Sequence, residues 1–567
     1  MNRKTAVAAL AVLSAGALLL SACAGGGTPT NTSPAPSEQP TLATVAYEQV
    51  PGSDVKQGGT LNLSILSTPT DEGNWNPNHA KAANVEVQNL LAPTLGNLGM
   101  VTEDGKVVAN PNYATSVELT SESPQVVTVK LNDKAVWEDG SPITADDWKA
   151  TLDSAGNTDD GYEVIPSSVF AQIDKVEVVS DAEFTVSFKA TFADWANLML
   201  VPVIPAAIAN DKDAFNTGYT NKPIPTAGPY KVDKVDNDAA IYTMVPNPNW
   251  WGEDKPKLDS ITWKRIAQEA LPQSFANDEI DYLEIQTPDA LATAESKAGA
   301  VIQRSGGLTW SHLTFNGKSA PFDDANVRKA VASAIDRELI AQVANTPLGA
   351  PAATLGDWIF MPGQDGYIDA FGEKYQRSEE KVKEYLEASG YTKNGQNWEK
   401  DGQKLTFAII VPAGTQSNIN RALGIQDALK EFGIEVTIDE SPSEDYFVNI
   451  SEGKYQAATF GWQGTPFPIS SSETIYYPEQ EFGDQNGQNY SFFTDDRLKP
   501  LFDKANAELD PAARIKIANE ISGVIADYLP SIPIYPYPEV AATDEGLVNF
   551  GKATFKSTDW SIVGYKG

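Results

Sequence analysis

Residues 308–340 predict a strand, a tight turn and two helices in immediate succession. An apolar and aromatic run indicates the strand, and Asn316-Gly317 breaks it with residues that favour turns. Apolar residues then recur with helical spacing at Val327, Ala330, Val331, Ala334 and Ile335. Asp323 or Asp324 can cap the first turn of this helix, and Asp336 can start the next. A strand that leads directly into a helix is typical of α/β proteins.

The C-terminal part of the chain repeats this alternation. Residues 405–411 read as a continuous apolar strand, residues 417–431 have helical spacing, and Ile434, Val436 and Ile438 alternate as a second strand. This order predicts a parallel pair of strands with a right-handed crossover. Near the other end, apolar and polar residues alternate over residues 61–65, which predicts the first strand of the folded part. Helical spacing over residues 85–95 predicts a helix after this strand.

Several motifs resemble the extracytoplasmic solute-binding proteins of the peptide/nickel type, family 5, which serve ABC importers. The longest match combines Pro-Phe-Asp-Asp, Val-Arg and Ile-Asp-Arg at residues 321–324, 327–328 and 335–337. Shorter matches are Gly58-Gly59, Asp-Gly-x-Pro-x-Thr-Ala-Asp-Asp at residues 139–147, Gly228-Pro229-Tyr230 and Lys257-Leu258-Asp259. The resemblance implies an α/β fold of two lobes that close on a ligand like a clamshell, the type II arrangement of periplasmic binding proteins, with an extra domain inserted in the first lobe.

The same resemblance sets the expected domain boundaries. Residues 1–22 are a lipoprotein signal peptide, residues 23–55 a flexible tether and residues 56–95 the first part of lobe I. Residues 96–224 are the inserted domain, residues 225–308 continue lobe I, residues 309–535 form lobe II and residues 536–567 return to lobe I. Composition also indicates the tether, because residues 24–44 are rich in Gly, Thr, Ser and Pro and contain few apolar residues.

The N-terminus has the features of a secretory signal that is cut by the lipoprotein route. Arg3 and Lys4 precede an apolar run over residues 6–20, and small residues lead to Cys23. An N-terminal transmembrane anchor is the alternative, but about 15 apolar residues are fewer than the roughly 20 that span a bilayer. Cys23 is therefore the predicted lipidation site. It is the only cysteine, so no disulfide can form within the chain.

The charge of the chain excludes some classes of partner. Against 42 Lys and Arg there are 76 Asp and Glu, which gives a formal net charge of −34 at pH 7. Nucleic acid and anionic lipid would be repelled by such a protein, so neither is an expected partner. The membrane is reached through the lipid anchor alone, and the protein is predicted to be an extracytoplasmic monomer.

No catalytic or metal-binding motif emerges from the sequence. His79 and His312 are the only histidines, and the chain has no phosphate-binding Gly-Lys-Ser/Thr loop, no Gly-x-Ser-x-Gly elbow and no zinc-binding histidine pair. Turn and capping roles account for Asp139, Asp146 and Asp147. A hydrolase with a pair of carboxylates remains an alternative, since such pairs leave no local signature. The sequence predicts a binding protein without metal or cofactor rather than an enzyme.

The resemblance places the ligand between the lobes, where aromatic and amide side chains at strand ends are the candidate contacts. These candidates are Trp75, Trp310, His312, Asn316, Trp462, Gln463, Thr465 and Phe467. Each aromatic residue could instead belong to the hydrophobic core.

Position 465 limits what the resemblance implies about the ligand. Peptide-binding members have an aspartate there that pairs with the α-ammonium of the peptide, whereas this chain has Thr465. The arginines that bind the peptide carboxylate correspond, by ungapped alignment, to Ile450 and Thr459. A charge-assisted hydrogen bond is roughly twice as strong as a neutral one, so the hydroxyl of Thr465 cannot replace the aspartate as a partner for the α-ammonium. Either another residue anchors the ligand, or the ligand is not a zwitterionic peptide.

The resemblance therefore predicts a lipid-anchored solute receptor that delivers its ligand to the permease subunits of an ABC importer. An oligopeptide is the leading ligand, with an oligosaccharide or another uncharged polar solute as the alternative. Nickel is disfavoured because the chain has too few histidines and cysteines for such a site. A surface sensor or adhesion protein with the same fold but no transport role is the alternative from a different class.

Overall fold

The structure, a computed structural model, describes residues 43–66, 68–69, 73–157, 160–165, 168–476, 488–493 and 495–567. The predicted signal peptide, Cys23 and residues 23–42 of the predicted tether lie outside these residues. Residues 43–55, which the sequence also assigned to the tether, pack on the fold instead: the N–H of Ala46 donates to the carbonyl of Lys552 at 2.9 Å, and Val55 pairs with Lys566. Within the described part, no helix is both long and apolar enough to span a membrane.

The secondary structure alternates between short strands and helices along most of the chain. The strands are β1 (Thr60–Ile65), β2 (Gly99–Val101), β3 (Val107–Ala109), β4 (Ala114–Glu122), β5 (Gln125–Leu131), β6 (Ile173–Ser180), β7 (Glu183–Phe188), β8 (Tyr230–Asp236), β9 (Ile241–Pro246), β10 (Ser260–Arg265), β11 (Tyr282–Glu284), β12 (Ala300–Phe315), β13 (Thr392–Asn394), β14 (Asn397–Lys400), β15 (Gln403–Lys404), β16 (Thr406–Pro412), β17 (Glu435–Ser441), β18 (Ala457–Gln463), β19 (Ser531–Asp544), β20 (Leu547–Val548) and β21 (Gly564–Tyr565). The α-helices are α1 (Val85–Leu91), α2 (Ala145–Ala155), α3 (Ser168–Gln172), α4 (Ala206–Ala209), α5 (Lys212–Thr217), α6 (Leu271–Ala276), α7 (Pro288–Ser296), α8 (Ala325–Ala334), α9 (Arg337–Asn345), α10 (Ala370–Lys374), α11 (Glu379–Ala388), α12 (Gln416–Lys430), α13 (Ser443–Ser451), α14 (Pro468–Tyr476), α15 (Leu498–Ala507) and α16 (Pro511–Tyr528).

The first lobe is built on a four-stranded sheet with the order β1-β10-β9-β8. Strands β1 and β10 are parallel, and the predicted alternation in β1 is confirmed, because Leu61, Leu63 and Ile65 are all buried. Helix α1 is shorter than expected, because the helical spacing over residues 85–95 predicted a helix of that length. It ends at Leu91 and gives way to a 3-10 turn at Ala92–Thr94, because Pro93 has no N–H with which to continue the helix.

A second four-stranded sheet, with the order β4-β5-β7-β6, lies between β1 and β8 in the sequence. All its neighbouring strands are antiparallel, and α2 packs against it around the buried Trp148. The capping of α2 is as predicted, since the N–H of Thr144 donates to Asp147 Oδ2 at 3.0 Å. Asp139 accepts the N–H of Ser141 at 2.9 Å, which is the predicted turn role.

A six-stranded sheet with the order β11-β19-β12-β18-β16-β17 extends through both lobes. Its strands β18, β16 and β17 belong to the second lobe, whereas β11 pairs with the far end of β19, Glu284 with Ala541. Strands β16 and β17 are parallel and α12 connects them, as the sequence predicted. The strand–turn–helix of residues 308–340 is also confirmed: Asp324 Oδ1 accepts the N–H of Asn326 at 2.8 Å to cap α8, and Asp336 caps α9. Residues from both helices pack into the core of the second lobe.

Strands β12 and β19 connect the two lobes. They pair from Ala300 with Asp544 to Thr314 with Ser531, and their register shifts between Gly306 and Trp310. A Cβ atom on Gly307 would lie 2.4 Å from the carbonyl oxygen of Tyr537, so the close approach of the two backbones there requires glycine. The ladder between β12 and β19 is therefore irregular at the point where these strands pass from one lobe to the other.

The loop after β7 touches the second lobe. Asp194 in this loop accepts two hydrogen bonds from Arg514 of α16, at 2.5 and 2.7 Å, and both side chains are mostly buried. The neighbouring N–H of Ala193 donates to the carbonyl of Asn506 at 2.6 Å. The inserted sheet and the second lobe are therefore held together by a buried ion pair.

Candidate functional site

A cavity of about 700 Å³ lies at the carboxyl ends of the parallel strands β1 and β10. Leu63, Ser64 and Trp263 line it from these strands, and Leu308 and Gln463 line it from the strands that lead into the second lobe. The carboxyl ends of parallel strands are where open α/β sheets bind ligands. We refer to it as the larger cavity.

Side-chain amides and aromatic rings are prominent in the lining of the larger cavity. The amides are Asn89, Asn97, Asn110, Asn112, Gln268, Gln286 and Gln463, and the aromatic residues are Tyr113, Trp250, Trp263, Tyr282, Phe550 and Trp560. An amide presents both donors and acceptors, and an aromatic face packs against rings or apolar side chains. These side chains suit a ligand that has both polar groups and apolar surface.

The charged groups of the larger cavity are partly paired with one another. Lys552 Nζ lies 2.7 Å from a carboxylate oxygen of Glu284 and 2.7 Å from one of Glu539. Burial by itself would lower the pKa of this lysine, but Tyr282 and the two glutamates raise it above its usual value. The ammonium therefore remains charged between these two glutamates. Glu86, Asp559 and Lys556 also line the cavity, so four described acidic residues face two lysines there.

A smaller cavity of about 260 Å³ adjoins the larger one, and Gln463 lines both. Its walls come from β12 and β18, from α14 and from the loop that contains Trp358, Ile359 and Met361. None of the described residues that line it carries a charge. The two cavities together form one cleft beside the strands that connect the lobes.

A buried carboxylate shapes the loop at the smaller cavity. Asp357 Oδ1 accepts the N–H groups of Trp358 at 2.7 Å and Ile359 at 3.0 Å, and the hydroxyl of Ser522 at 2.5 Å. Burial raises the pKa of Asp357 to about 6, although these hydrogen bonds act to lower it. The carboxylate fixes the backbone that places Trp358 and Ile359 in the cavity wall.

Trp462 belongs to a group of packed rings. Its indole is parallel to the rings of His312 and Tyr490, with centroids 5.8 and 5.7 Å away, and it meets Phe460 edge to face at 5.1 Å. Packing of this kind fixes the orientation of the half-buried indole. The face that Trp462 presents to the smaller cavity is thus pre-formed.

The structure brings four of the eight predicted contact residues to the cleft. Trp310, Trp462, Gln463 and Thr465 line the smaller cavity, and Gln463 also lines the larger one. The ligand-binding role of these four residues remains a prediction that the geometry allows.

The other four predicted residues line neither cavity. Trp75 is fully buried in the core of the first lobe and meets Tyr242 edge to face at 5.5 Å. Asn316 donates to the carbonyls of Gly453 and Tyr455, which is a structural role in a turn. The N–H of Phe467 donates to Thr465 Oγ1 at 3.1 Å.

His312 is the fourth of these residues. It is fully buried, and burial lowers its pKa well below the usual value, with a further contribution from the positive charge of Arg421. The ring is therefore neutral at pH 7 and supports Trp462 from behind.

The side chain of Arg421 places a guanidinium beside Thr459. Thr459 is one of the two positions at which the resemblance led us to expect an arginine. Arg421 Nε donates to Thr459 Oγ1 at 2.6 Å, and its Nη2 donates to Asn418 Oδ1 at 2.9 Å. It also donates to the hydroxyls of Tyr535 and Tyr537, and no carboxylate among the described residues pairs with it. The group reaches this position from α12, which an alignment of strand residues could not reveal.

The sequence did not identify most of the residues that line the larger cavity. Lys552, Phe550 and Trp560 belong to a C-terminal segment without a motif, and Asn110 and Asn112 precede β4 in the inserted part. The only signal available was the rule that ligands bind at the carboxyl ends of parallel strands, which favoured residues after β1. Among the described residues, no cluster of His, Cys, Asp and Glu has the arrangement of a metal site.

Comparisons with known proteins agree with this architecture. A sequence profile of the bacterial extracellular solute-binding proteins, family 5 (middle region), matches residues 109–483. The oligopeptide-binding protein OppA of Mycobacterium tuberculosis is 31% identical over 555 residues, which cover 97% of this chain and 92% of that protein.

Solved structures with the same fold include an EDTA-binding protein and an oligopeptide-binding protein. The periplasmic EDTA-binding protein EppA superposes with a TM-score of 0.81 at 24% identity and covers 93% of this chain and 99% of its own. The oligopeptide-binding protein AppA of Bacillus subtilis, in complex with a nonapeptide, has a TM-score of 0.71 at 22% identity and covers 90% and 100%.

Proposed function

The chain belongs to family 5 of the bacterial extracellular solute-binding proteins, and from this premise we propose that it captures an oligopeptide between its lobes and delivers it to an ABC permease. The family is one of binding proteins and not of enzymes, as the sequence predicted. We further propose that a lipid on Cys23 holds the protein, as a monomer, at the outer face of the cell membrane.

The observation that carries the peptide proposal is the amide-rich lining of the larger cavity. Side-chain amides can donate to the carbonyls of an extended peptide and accept from its N–H groups, whatever the peptide sequence. The volume of about 700 Å³ is within the range of about 300–1,000 Å³ that ligand pockets occupy. The similarity to OppA supports the same class of ligand.

Closure of the lobes is the proposed mechanism. The cleft has walls from both lobes, so a bound peptide contacts both and favours the closed arrangement by its differential affinity. The irregular part of the ladder between β12 and β19, at Gly306 and Gly307, is the proposed hinge. The permease would then recognise the closed form.

Calorimetric titration with peptides of three to nine residues, and in parallel with neutral oligosaccharides, tests the ligand class on the full chain in detergent. We expect peptides to bind and oligosaccharides not to bind. Spin labels at Glu118→Cys in β4 and Lys383→Cys in α11 should report a shorter distance between the lobes when peptide is added. Binding of oligosaccharides alone would overturn the peptide proposal, and binding without a change in distance would overturn the closure mechanism.

Cys23→Ser is expected to release the protein from the membrane or to leave it uncut. The physical reason is that acyl chains provide anchoring, at about 0.8 kcal/mol per buried CH₂, and serine cannot be lipidated by the same route. Fractionation of cells into membrane and soluble parts, followed by detection of the protein, measures this. A Cys23→Ser protein that is cut at the signal peptide and still sediments with membranes would contradict the lipid anchor.

A further inference from the structure

The smaller cavity has a lining that is unusual beside a cleft of mixed charge. Trp310, Trp358 and Trp462 form an aromatic wall, and the polar part consists of hydroxyl and amide side chains. The larger cavity contains both lysines and acids, whereas no described residue that lines the smaller one is charged. The two cavities therefore suit chemically different parts of one ligand: charged groups can be paired in the larger cavity but not in the smaller one.

Many polar groups of the smaller cavity are already used within the protein. Thr465 Oγ1 shares a hydrogen bond of 3.0 Å with Ser471 Oγ and accepts the N–H of Phe467. Gln364 Oε1 accepts the N–H of Met361 at 2.8 Å, and the indole N–H of Trp358 donates to Ser531. Among the described residues, the donors that face no partner within the protein are neutral, for example the indole N–H groups of Trp310 and Trp462 and the amide of Gln463. No cation in this lining therefore offsets the loss of water by a carboxylate that enters.

The negative charge of Asp357 lies directly behind the same wall. This carboxylate accepts the N–H groups of Trp358 and Ile359, which both line the cavity. At neutral pH it is above its pKa of about 6 and therefore ionised. Its field would repel a second carboxylate and has no such effect on a neutral group.

The size and position of the smaller cavity suit one ligand side chain. Its volume of about 260 Å³ equals that of roughly nine water molecules at about 30 Å³ each, which is too little for a whole peptide. Gln463 lines both cavities, so a peptide backbone in the larger cavity can direct one side chain past Gln463 into the smaller.

We propose that the smaller cavity is a specificity pocket that admits one uncharged side chain of the bound peptide and rejects an acidic one. This inference rests on the proposed function as a peptide receptor. It assigns the discrimination to side-chain charge at a single position of the ligand, independently of the charges at the peptide termini.

Pairs of peptides that differ only by Gln and Glu test the pocket, because the two side chains have nearly the same shape. The exchange is made at each position in turn of a host peptide that binds, and affinities are measured by calorimetry at pH 7.5. We expect the Glu peptide to bind at least tenfold more weakly at one position and within about threefold at the others. Equal affinities at every position, or a preference for Glu, would overturn the inference.

Ser471→Lys provides the complementary test, since it adds a cation to the pocket at a helical, half-buried position. At the discriminating position, the preference for Gln over Glu should fall at least fivefold. The matched control Ser451→Lys adds the same charge to an exposed position of the same lobe and should retain the wild-type ratio. An unchanged ratio in a folded Ser471→Lys protein would count against the pocket.

The outcomes separate this inference from the proposed function. If no peptide binds at all, both the proposed function as a peptide receptor and the proposed specificity pocket are wrong. If peptides bind and the lobes close, but no Gln and Glu pair is distinguished, the proposed function stands and the specificity pocket alone is wrong.

Discussion

Trp462→Ala is expected to weaken peptide binding by more than tenfold while the protein remains folded. The indole is half-buried, forms a wall of the smaller cavity and is held by His312 and Tyr490. Covering roughly 60 Å² of it with a ligand, at about 25 cal/mol per Å², contributes about 1.5 kcal/mol, and about 1.4 kcal/mol corresponds to a factor of ten. Calorimetric titration of a peptide that binds the wild type measures the loss.

Trp462→Phe is the matched control, because it keeps a ring against His312 and Phe460 and removes only part of the surface. We expect it to bind within a few-fold of the wild type. Thermal unfolding of both variants without ligand shows whether the ring cluster survives, since truncation of a packed aromatic residue can cost about 3–5 kcal/mol when it is fully buried. A folded Trp462→Ala protein with wild-type affinity would show that the ligand does not contact this wall.

Features that depend on residues close together in sequence could be predicted well. The strand, turn and helix of residues 308–340 formed as expected because their signals are local: Asn316 Oδ1 accepts the N–H of Lys318, and Asp324 caps α8. The capping of α2 by Thr144 and Asp147 has the same origin. These interactions span two or three residues, so the sequence specifies them without knowledge of the fold.

The helix predicted beyond Leu91 shows the limit of periodicity. Apolar spacing continued to Leu95, but Pro93 removes a donor and the chain turns. Here Pro93 alone ended the helix, although the apolar spacing predicted the first two turns correctly.

The cleft could be predicted only in part, because it is assembled from distant segments. Lys552 meets Glu284 across 268 residues of sequence, and no periodicity connects the two. Trp75 and Trp310 both follow the rule of aromatic residues near strand ends, yet Trp75 packs in the core and Trp310 reaches the cavity. What separates them is the packing of neighbouring elements, which the pattern of a single segment does not contain.

Arg514→Met is expected to shift the lobes towards an open arrangement and to weaken peptide binding at least tenfold, although Arg514 lines neither cavity. The substitution leaves the carboxylate of Asp194, whose side chain is 4% exposed, without its cation in the arrangement of the lobes that the structure shows. Removing one partner of a buried pair costs about 3–5 kcal/mol, and opening of the lobes avoids this cost by returning the carboxylate to water. The apparent dissociation constant then rises in proportion to the loss of the closed population.

Spin labels at Glu118→Cys and Lys383→Cys measure the distance between the lobes, and calorimetry measures the affinity for the same peptide. Asp194→Asn in the Arg514→Met background removes the unpaired charge, so this double variant should recover most of the affinity and of the closed population. Asp153→Asn is the control, because it breaks the exposed pair of Asp153 with Lys149 on α2 and should change neither quantity. If Arg514→Met leaves both the distance and the affinity unchanged, the ion pair does not hold the lobes together. The contact between the loop after β7 and α16 would then form when the lobes close but would not stabilise the closed arrangement.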